Sequence, residues 1–244
     1  MNRKNAILEV KSLVKGFGGR KVVDGLSFEV AEGEVVGLLG PNGAGKTTAF
    51  YMTVGLISPD SGQVCFRGVD VTRYPMHRRA AMGMGYLAQE PSIFRSLTVE
   101  QNIIAVLESR PLSRSQRRSR LEELLAELNL EKLAKKPAAS LSGGERRRLE
   151  ITRALVTEPT CLMLDEPFAN IDPLAIHDVK QMVRHLVKRG IAILITDHNA
   201  REIFSLVDRS YLVRGGCVLR SGTVEELIND EEVRRSYLGE GFRL

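Results

Sequence analysis

An apolar run that leads directly into a glycine-rich loop constrains the fold of this chain more than any other feature. Val35–Leu39 has the near-continuous apolar character of a buried central strand, and residues 40–47, GPNGAGKT, fit the pattern G-x-x-x-x-G-K-[ST]. Glycines in such a loop let successive backbone N–H groups turn towards phosphate oxygens, and the N-terminus of the following helix adds a positive dipole. The sequence therefore predicts a phosphate-binding loop between a strand and a helix.

Two side chains of this loop have specific roles in the prediction. Lys46 would neutralise charge on the β- and γ-phosphates of a nucleotide, and the hydroxyl of Thr47 would ligate Mg²⁺. A glycine-rich turn that opens an ordinary helix is the alternative, but it does not explain a strand, a lysine and a threonine in register. The loop residues predicted to bind ATP are Asn42, Gly43, Ala44, Gly45, Lys46, Thr47 and Thr48.

A second apolar run, residues 161–164, ends in two adjacent carboxylates, Asp165 and Glu166. Neighbouring side chains at a strand end point in different directions, so the two can have different roles. Asp165 is predicted to hold Mg²⁺, directly or through water, and Glu166 to polarise a water that attacks the γ-phosphorus. A solvated acidic strand end would be the preferred interpretation if this segment stood alone. Together with a phosphate-binding loop, it becomes the weaker one.

Hydrophobic patterning divides the chain into three stretches. Short β-rich runs, including residues 7–10 and 25–30, dominate the first third. The middle stretch is helical, with leucines spaced for one buried helix face at 121–128. In the last stretch, strands at 161–164 and 191–195 enclose a helical segment in a βαβ arrangement. The sequence therefore predicts an α/β fold with a helical insertion.

Local signals add detail to this plan. Thr98 and Thr223 are each followed three residues later by Gln or Glu, a capping box that starts a helix. The segment 211–219 has two short β-rich runs around Arg-Gly-Gly and is predicted to form a hairpin.

Composition and charge exclude several classes of protein. With 43% hydrophobic and 27% charged residues, the chain is expected to be packed rather than disordered. No apolar run approaches the ~18 residues that cross a bilayer, and we expect no signal peptide, so the protein should stay where it is made. The net charge of +5 favours an anionic partner, and three widely spaced cysteines fit a reducing cytoplasm.

A second glycine-containing helix start follows the helical stretch. Residues 141–145 read LSGGE and precede a predicted helix over 146–155, so the sequence predicts two anion-binding helix N-termini. With the loop and the carboxylate pair, this pentapeptide resembles the signature of ATP-binding-cassette (ABC) ATPases. The resemblance adds four residues to the predicted ATP site: Ser142, Gly143, Gly144 and Glu145.

This resemblance covers nearly the whole chain and implies its organisation. The expected fold is a P-loop NTPase with a RecA-like core, an N-terminal antiparallel β subdomain and a helical insertion. A single domain over 1–244 is expected, with a catalytic core at 1–89 and 146–225, a helical subdomain at 90–145 and a C-terminal tail at 226–244.

The resemblance also implies roles for residues outside these motifs. Phe17 resembles the aromatic residue that stacks on adenine. Gln89 resembles the glutamine that lies close to Mg²⁺ and the attacking water, and His198 the histidine that contacts the γ-phosphate. Residues 170–172, Asn-Ile-Asp, fall where the family has its D-loop, although the preceding Phe-Ala-Asn departs from the commoner small residues.

Members of this family act in pairs, which implies a homodimer here. Two copies would face head to tail, with each ATP between Lys46 of one copy and Ser142 of the other. In transporters, the helical insertion contacts a short helix of a transmembrane permease. Phe94 and Arg95 are the candidates for that contact, and the alternative is that Phe94 packs inside the insertion while Arg95 is solvated.

Several strings, including SIFR, ITDHN and the ending YLGEGFRL, are similar to the lipopolysaccharide-export branch of the family. This similarity implies a membrane-associated ATPase, peripheral on the cytoplasmic face of the inner membrane, that drives lipopolysaccharide extraction. The ATPase of a branched-chain amino-acid importer is the alternative within the family. A DNA maintenance or repair ATPase would need a long coiled-coil or zinc insertion, whereas 90–140 is compact, so no nucleic-acid partner is expected. A metabolite kinase would not explain LSGGE.

Overall fold

The computed structural model describes residues 6–90, 92–169, 171–239, 241–242 and 244. These residues form two β-sheets with helices packed around them. The strands are β1 (Ala6–Phe17), β2 (Arg20–Ala31), β3 (Val35–Leu39), β4 (Ser61–Phe66), β5 (Val69–Asp70), β6 (Met84–Leu87), β7 (Cys161–Asp165), β8 (Ala192–Thr196), β9 (Arg209–Arg214) and β10 (Cys217–Thr223).

The smaller sheet is antiparallel and has the order β2-β1-β4-β5. The sequence pattern predicted short strands at 7–10 and 25–30, and both predicted strands are shorter than those in the structure. β1 and β2 are long strands of one hairpin, joined by a turn in which Gly18 and Gly19 both have positive φ. The register shifts at several points along this pair, and one shift lies beside Ser12, which has a φ of 48°. Such a bulge interrupts the alternation of apolar and polar residues by which a strand is recognised in a sequence.

The larger sheet has the order β10-β9-β3-β8-β7-β6. All its neighbouring pairs are parallel except β9 and β10, which form the predicted hairpin at one edge. Every residue of β3, β7 and β8 is buried, which agrees with sequences that are apolar except for Gly37 and for Asp165 and Thr196 at the strand ends. The predicted βαβ arrangement is confirmed by parallel β7 and β8, with a long helix between them in sequence.

The α-helices are α1 (Lys46–Val54), α2 (Met76–Ala81), α3 (Val99–Leu107), α4 (Arg114–Glu127), α5 (Gly143–Leu155), α6 (Pro173–Lys188), α7 (Ala200–Phe204), α8 (Val224–Asn229) and α9 (Glu231–Val233), and a π-helical turn spans Arg234–Leu238. Both predicted capping boxes are present, at Thr98 before α3 and at Thr223 before α8. In the described part of the chain, no helix combines the length and apolarity that a bilayer crossing requires.

Two hydrophobic clusters are lined by alternate residues of the parallel strands. On β7, Leu162 and Leu164 belong to one cluster, whereas Cys161 and Met163 belong to the other. The first cluster also contains the apolar faces of α3, α4 and α5, and the second contains α1 and the antiparallel sheet. The helical insertion therefore shares its core with the sheet that carries the carboxylates.

The core should be sensitive to truncation of β7. We expect Leu162→Ala to lower the free energy of unfolding by about 2–5 kcal/mol, because Leu162 is fully buried and the smaller side chain leaves a cavity. Leu174→Ala is the matched control, since Leu174 is 82% exposed, and it should change stability by less than about 0.5 kcal/mol. Urea unfolding of both variants measures the difference, and equal effects would contradict this assignment of the core.

Candidate functional site

The glycine-rich loop connects the C-terminal end of β3 to α1, as predicted. Gly43 and Gly45 have φ angles of 77° and 101°, which L side chains rarely adopt. A Cβ on Gly45 would also lie 2.5 Å from the carbonyl oxygen of Val22, so a side chain there would force the loop away from β2. Gly45 is the N-cap of α1 and makes no side-chain capping bond, which leaves the first-turn N–H groups for a ligand.

Lys46 is the charged group at the centre of this loop. Its side chain is buried, and its ammonium donates hydrogen bonds to the carbonyl oxygens of Gly40 and Pro41, at 2.7 and 3.1 Å. Burial lowers the pKa of Lys46, and the nearby carboxylates of Glu166, Asp197 and Asp165 act in the opposite direction. A cation held by two backbone carbonyls, with acidic groups nearby, has the position and charge needed for a phosphate.

The other predicted loop residues surround Lys46 and differ in exposure. Asn42, Gly43 and Thr47 are exposed, Thr48 is half-buried, and Ala44 is buried. The N–H of Ala44 donates to the carbonyl oxygen of Pro41 at 3.2 Å, which closes the turn. The hydroxyl of Thr47 is therefore on an accessible first turn of α1, where an ion could reach it.

Asp165 ends β7 and is only 1% exposed. Its Oδ1 accepts a hydrogen bond from the hydroxyl of Thr196 at 2.6 Å, whereas its Oδ2 is buried without a hydrogen-bond partner. Burial raises the pKa of Asp165, and the Thr196 hydrogen bond and the charge of Lys46 oppose this rise. A buried carboxylate oxygen without a donor is costly by itself, and an oxygen-preferring cation such as Mg²⁺ would satisfy it. The residues present therefore fit that ion.

The other two predicted catalytic residues, Gln89 and His198, lie beside the carboxylate of Glu166. The side-chain amide of Gln89 donates to its Oε2 at 3.0 Å, and Nδ1 of His198 lies 3.6 Å from the same oxygen. The backbone of Glu166 has a φ of 43° and its N–H donates to the carbonyl oxygen of Thr196 at 2.9 Å. Three residues distant in sequence thus meet at the edge of the parallel sheet.

The LSGGE segment begins α5 with a capping box. Ser142 is the N-cap: its hydroxyl accepts from the N–H of Glu145 at 3.2 Å, and its own N–H donates to the Glu145 carboxylate at 2.8 Å. The second bond contributes most to the lowered pKa of Glu145. A Cβ on Gly144 would lie 3.2 Å from the Cβ of Ala175 on α6, so glycine allows α5 and α6 to approach closely.

Gly143 shares a cavity with Glu166 and not with the phosphate loop of its own chain. This cavity of about 120 Å³ is also lined by Gln89 and by Arg146 and Arg147 of α5. Among the described residues that line this cavity, none belongs to the glycine-rich loop.

Two predicted contact residues are exposed aromatics. Phe17 is 51% exposed at the β1–β2 turn, and the ammonium of Lys15 lies 5.6 Å from its ring centroid. Phe94 is 48% exposed, and the guanidinium of Arg153 on α5 lies 4.7 Å from its ring centroid. The side chain of Arg95 is also exposed. The structure therefore places Phe94 at the surface of the insertion, and not in its interior.

In the segment compared with the D-loop, Asn170 lies outside the described residues. Asp172 is the N-cap of α6, and its carboxylate accepts from the N–H of Ala175 at 3.0 Å.

Sequence reasoning missed other residues that form this site. Thr196 contacts both Asp165 and Glu166, and the paired ends of β7 and β8 could have revealed it. Tyr237, in the π-helical turn near the C-terminus, donates from its hydroxyl to the carbonyl oxygen of His198 at 3.2 Å. No local pattern indicates that contact, because the two residues are far apart in sequence.

Comparisons with known proteins agree with this geometry. The family model described as "ABC transporter" matches residues 23–169. An uncharacterized ABC transporter ATP-binding protein of Rhizobium meliloti is 53% identical over 242 residues, which cover 99% of this chain and 90% of that protein. The lipopolysaccharide export system ATP-binding protein LptB of Escherichia coli is 50% identical over 240 residues, which cover 98% of this chain and all of LptB.

A solved ATP-binding cassette of an ABC transporter, in its ADP conformation, superposes with a TM-score of 0.87 at 29% identity, covering 97% of this chain and 100% of that one. Family model, relatives and fold agree with the phosphate loop and carboxylates described above. The chain belongs to the ABC transporter family and is one of its nucleotide-binding ATPases.

Proposed function

We propose that this chain is the ATPase of a lipopolysaccharide export system, acting as a homodimer on the cytoplasmic face of the inner membrane beneath transmembrane permease subunits. One observation carries the proposal: the chain and the Escherichia coli protein LptB are 50% identical and align over nearly the full length of both. Export ATPases of Haemophilus influenzae and Acidithiobacillus ferridurans match to the same extent, at 50% and 51%.

The binding step uses the glycine-rich loop and the buried cation. The first-turn N–H groups of α1 and the Lys46 ammonium supply positive charge for the β- and γ-phosphates of ATP. Asp165, Thr47 and Gln89 would hold Mg²⁺, which neutralises phosphate charge and polarises the γ-phosphoryl group. The unpartnered Oδ2 of Asp165 supports its place among these ligands. Phe17, exposed at a hairpin turn, offers its ring face to adenine.

The hydrolytic step uses Glu166 as the general base. Its carboxylate takes a proton from water as the water oxygen attacks the γ-phosphorus, and the bond to the ADP oxygen breaks. The side-chain amide of Gln89 donates a hydrogen bond to this carboxylate, so the two side chains are in contact at the edge of the sheet. Nδ1 of His198 lies 3.6 Å from the Glu166 carboxylate, and we assign to His198 a contact with the same γ-phosphate.

A second copy of the chain would complete each site. Ser142, Gly143, Gly144 and Glu145 of one copy would face the ATP held by Lys46 of the other, so that ATP joins the two. Among the described residues that line the cavity beside Gly143, none belongs to the phosphate loop, so Gly143 and Lys46 of one copy do not line a common cavity there. Hydrolysis removes the γ-phosphate contact and allows the dimer to open.

Phe94 and Arg95 are proposed to contact the permease. An exposed aromatic ring beside an exposed arginine gives a surface that is apolar and cationic at once. The Arg153 guanidinium on one face of Phe94 fixes the ring at the surface of the insertion.

Glu166→Gln should separate binding from hydrolysis. The amide cannot accept the water proton, so we expect turnover to fall by about 10²–10⁴-fold while ATP binding persists. An ATP-bound dimer should then accumulate, and size-exclusion chromatography with ATP measures it. Lys46→Ala is the contrasting variant, because it removes the phosphate-binding cation and should weaken ATP binding itself. Unchanged hydrolysis in Glu166→Gln would exclude the proposed base.

The permease contact is tested by co-purification from detergent-solubilised membranes. We expect Arg95→Glu and Phe94→Ala to reduce recovery of transmembrane subunits, because each removes part of the exposed contact surface, while thermal unfolding of the isolated protein stays unchanged. Arg114→Glu and Leu56→Ala are matched controls, since they alter an exposed arginine and a 46% exposed leucine elsewhere. Normal recovery with Phe94→Ala and Arg95→Glu would place docking on another surface.

The same purification tests the transport assignment. Recovery of permease subunits that bind lipopolysaccharide supports the proposal. Recovery of amino-acid importer subunits, or of no membrane protein at all, would overturn it.

A further inference from the structure

Thr196 is a polar exception at the end of an apolar strand. The other residues of β8 are alanine, isoleucine and leucine, and all five positions are buried. Thr196 itself is 1% exposed and lies directly opposite Asp165 in the parallel register of β7 and β8. A hydroxyl buried at this position needs partners, and both of its partners belong to the carboxylate pair.

The hydroxyl of Thr196 can satisfy both residues at once. A hydroxyl has one proton to donate and lone pairs to accept. The proton goes to Oδ1 of Asp165 at 2.6 Å, and a lone pair faces the N–H of Glu166 at 3.3 Å. The carbonyl oxygen of Thr196 accepts from the same N–H at 2.9 Å. One residue thus contacts the side chain of Asp165 and the backbone of Glu166.

These contacts fix the direction of Asp165. With Oδ1 held by a donor, rotation of the carboxylate would break a short hydrogen bond inside the protein. Oδ2 is then the oxygen left without a partner, in a buried position. A carboxylate oxygen held in one direction, with no donor of its own, is a suitable ligand for a divalent cation.

The same contacts hold the backbone turn at Glu166. Its φ of 43° is a sparsely populated conformation for a residue with a side chain, and such conformations persist when surrounding contacts impose them. The two acceptors on Thr196 provide that restraint. The Glu166 side chain can then reach Gln89 and His198.

We propose that Thr196 is a positioning residue for ATP hydrolysis, whose hydroxyl directs the free oxygen of Asp165 towards a divalent cation and helps to hold Glu166 in its turn. This inference rests on the proposed role of Asp165 as a metal ligand. Thr196 acts through the two carboxylates and is not itself assigned a contact with nucleotide or water. Removal of groups that orient metal ligands typically costs about 10- to 100-fold in metal affinity or activity.

The test compares Thr196→Val, which keeps the shape and removes the hydroxyl, with Thr196→Ser, which keeps the hydroxyl. ATP affinity of the full chain is measured by calorimetry in EDTA and over a series of Mg²⁺ concentrations, and ATPase rates are measured alongside. In Thr196→Val, we expect the half-saturating Mg²⁺ concentration to rise about 10- to 100-fold, with metal-free ATP affinity unchanged. Thr196→Ser should stay within about threefold of the parent protein.

Two controls separate this effect from a general loss of structure. Thr152→Val removes another fully buried hydroxyl, which donates to the carbonyl oxygen of Arg148 within α5, and should leave the Mg²⁺ response unchanged. If Thr196→Val does not fold, Thr196→Ala takes its place in the comparison with Thr196→Ser.

A parent-like Mg²⁺ response in Thr196→Val, or equal loss in the valine and serine variants, overturns the inference. Asp165→Asn identifies which proposal fails. If Asp165→Asn loses the Mg²⁺ response and Thr196→Val does not, only the role of Thr196 is rejected. An unchanged response in Asp165→Asn rejects the metal role of Asp165 and this inference with it.

Discussion

The parallel alignment of β3, β8, β7 and β6 is the constraint on which this site depends. Parallel strands bring their C-terminal ends to one edge of the sheet, so the residues that follow each strand meet there. The glycine-rich loop follows β3, Gln89 comes shortly after β6, Asp165 ends β7, and His198 follows β8. The parallel sheet therefore brings together residues from four segments that are distant in sequence.

Burial of charge at this edge has a cost that the ligand can offset. Lys46 and Asp165 are both nearly inaccessible, and desolvation opposes the ionised form of each. Each charge is only partly satisfied within the chain: Lys46 by carbonyl dipoles, and Asp165 by a hydroxyl at one of its two oxygens. A phosphate group and the proposed divalent cation would supply the opposite charges. Binding of both would therefore offset the cost of burying Lys46 and Asp165.

Much of this edge could be predicted because its signals are local. The glycine-rich loop needs positive φ at Gly43 and Gly45, and the apolar runs before Gly40 and Asp165 are buried on both faces. Capping boxes are equally local, since the side chain at the N-cap contacts a backbone three residues away. The residues that cause each of these features lie within a few positions of one another in the sequence.

The features that were missed depend on tertiary contacts. The lengths of β1 and β2 follow from pairing across a bulged hairpin, which a pattern of alternating residues does not record. The contact of Thr196 with Asp165 follows from the register of their strands, and the contact of Tyr237 with His198 follows from the packing of the π-helical turn. In each case the feature depends on a partner that is distant in sequence, and the residue type alone does not indicate that partner.

Helix α5 contacts both the proposed permease-binding residue Phe94 and the segment before Gln89, which contacts the proposed catalytic base. Arg153 near its C-terminal end stacks on Phe94, while Arg147 near its N-terminal end donates to the carbonyl oxygen of Ala88 at 3.3 Å, beside Gln89. Gln89 in turn donates to Glu166. Physical contiguity by itself carries no signal, because coupling requires an element with two arrangements that both sites favour differently. The two arginines place the contact with Phe94 and the contact with Ala88, which precedes Gln89, on the same helix.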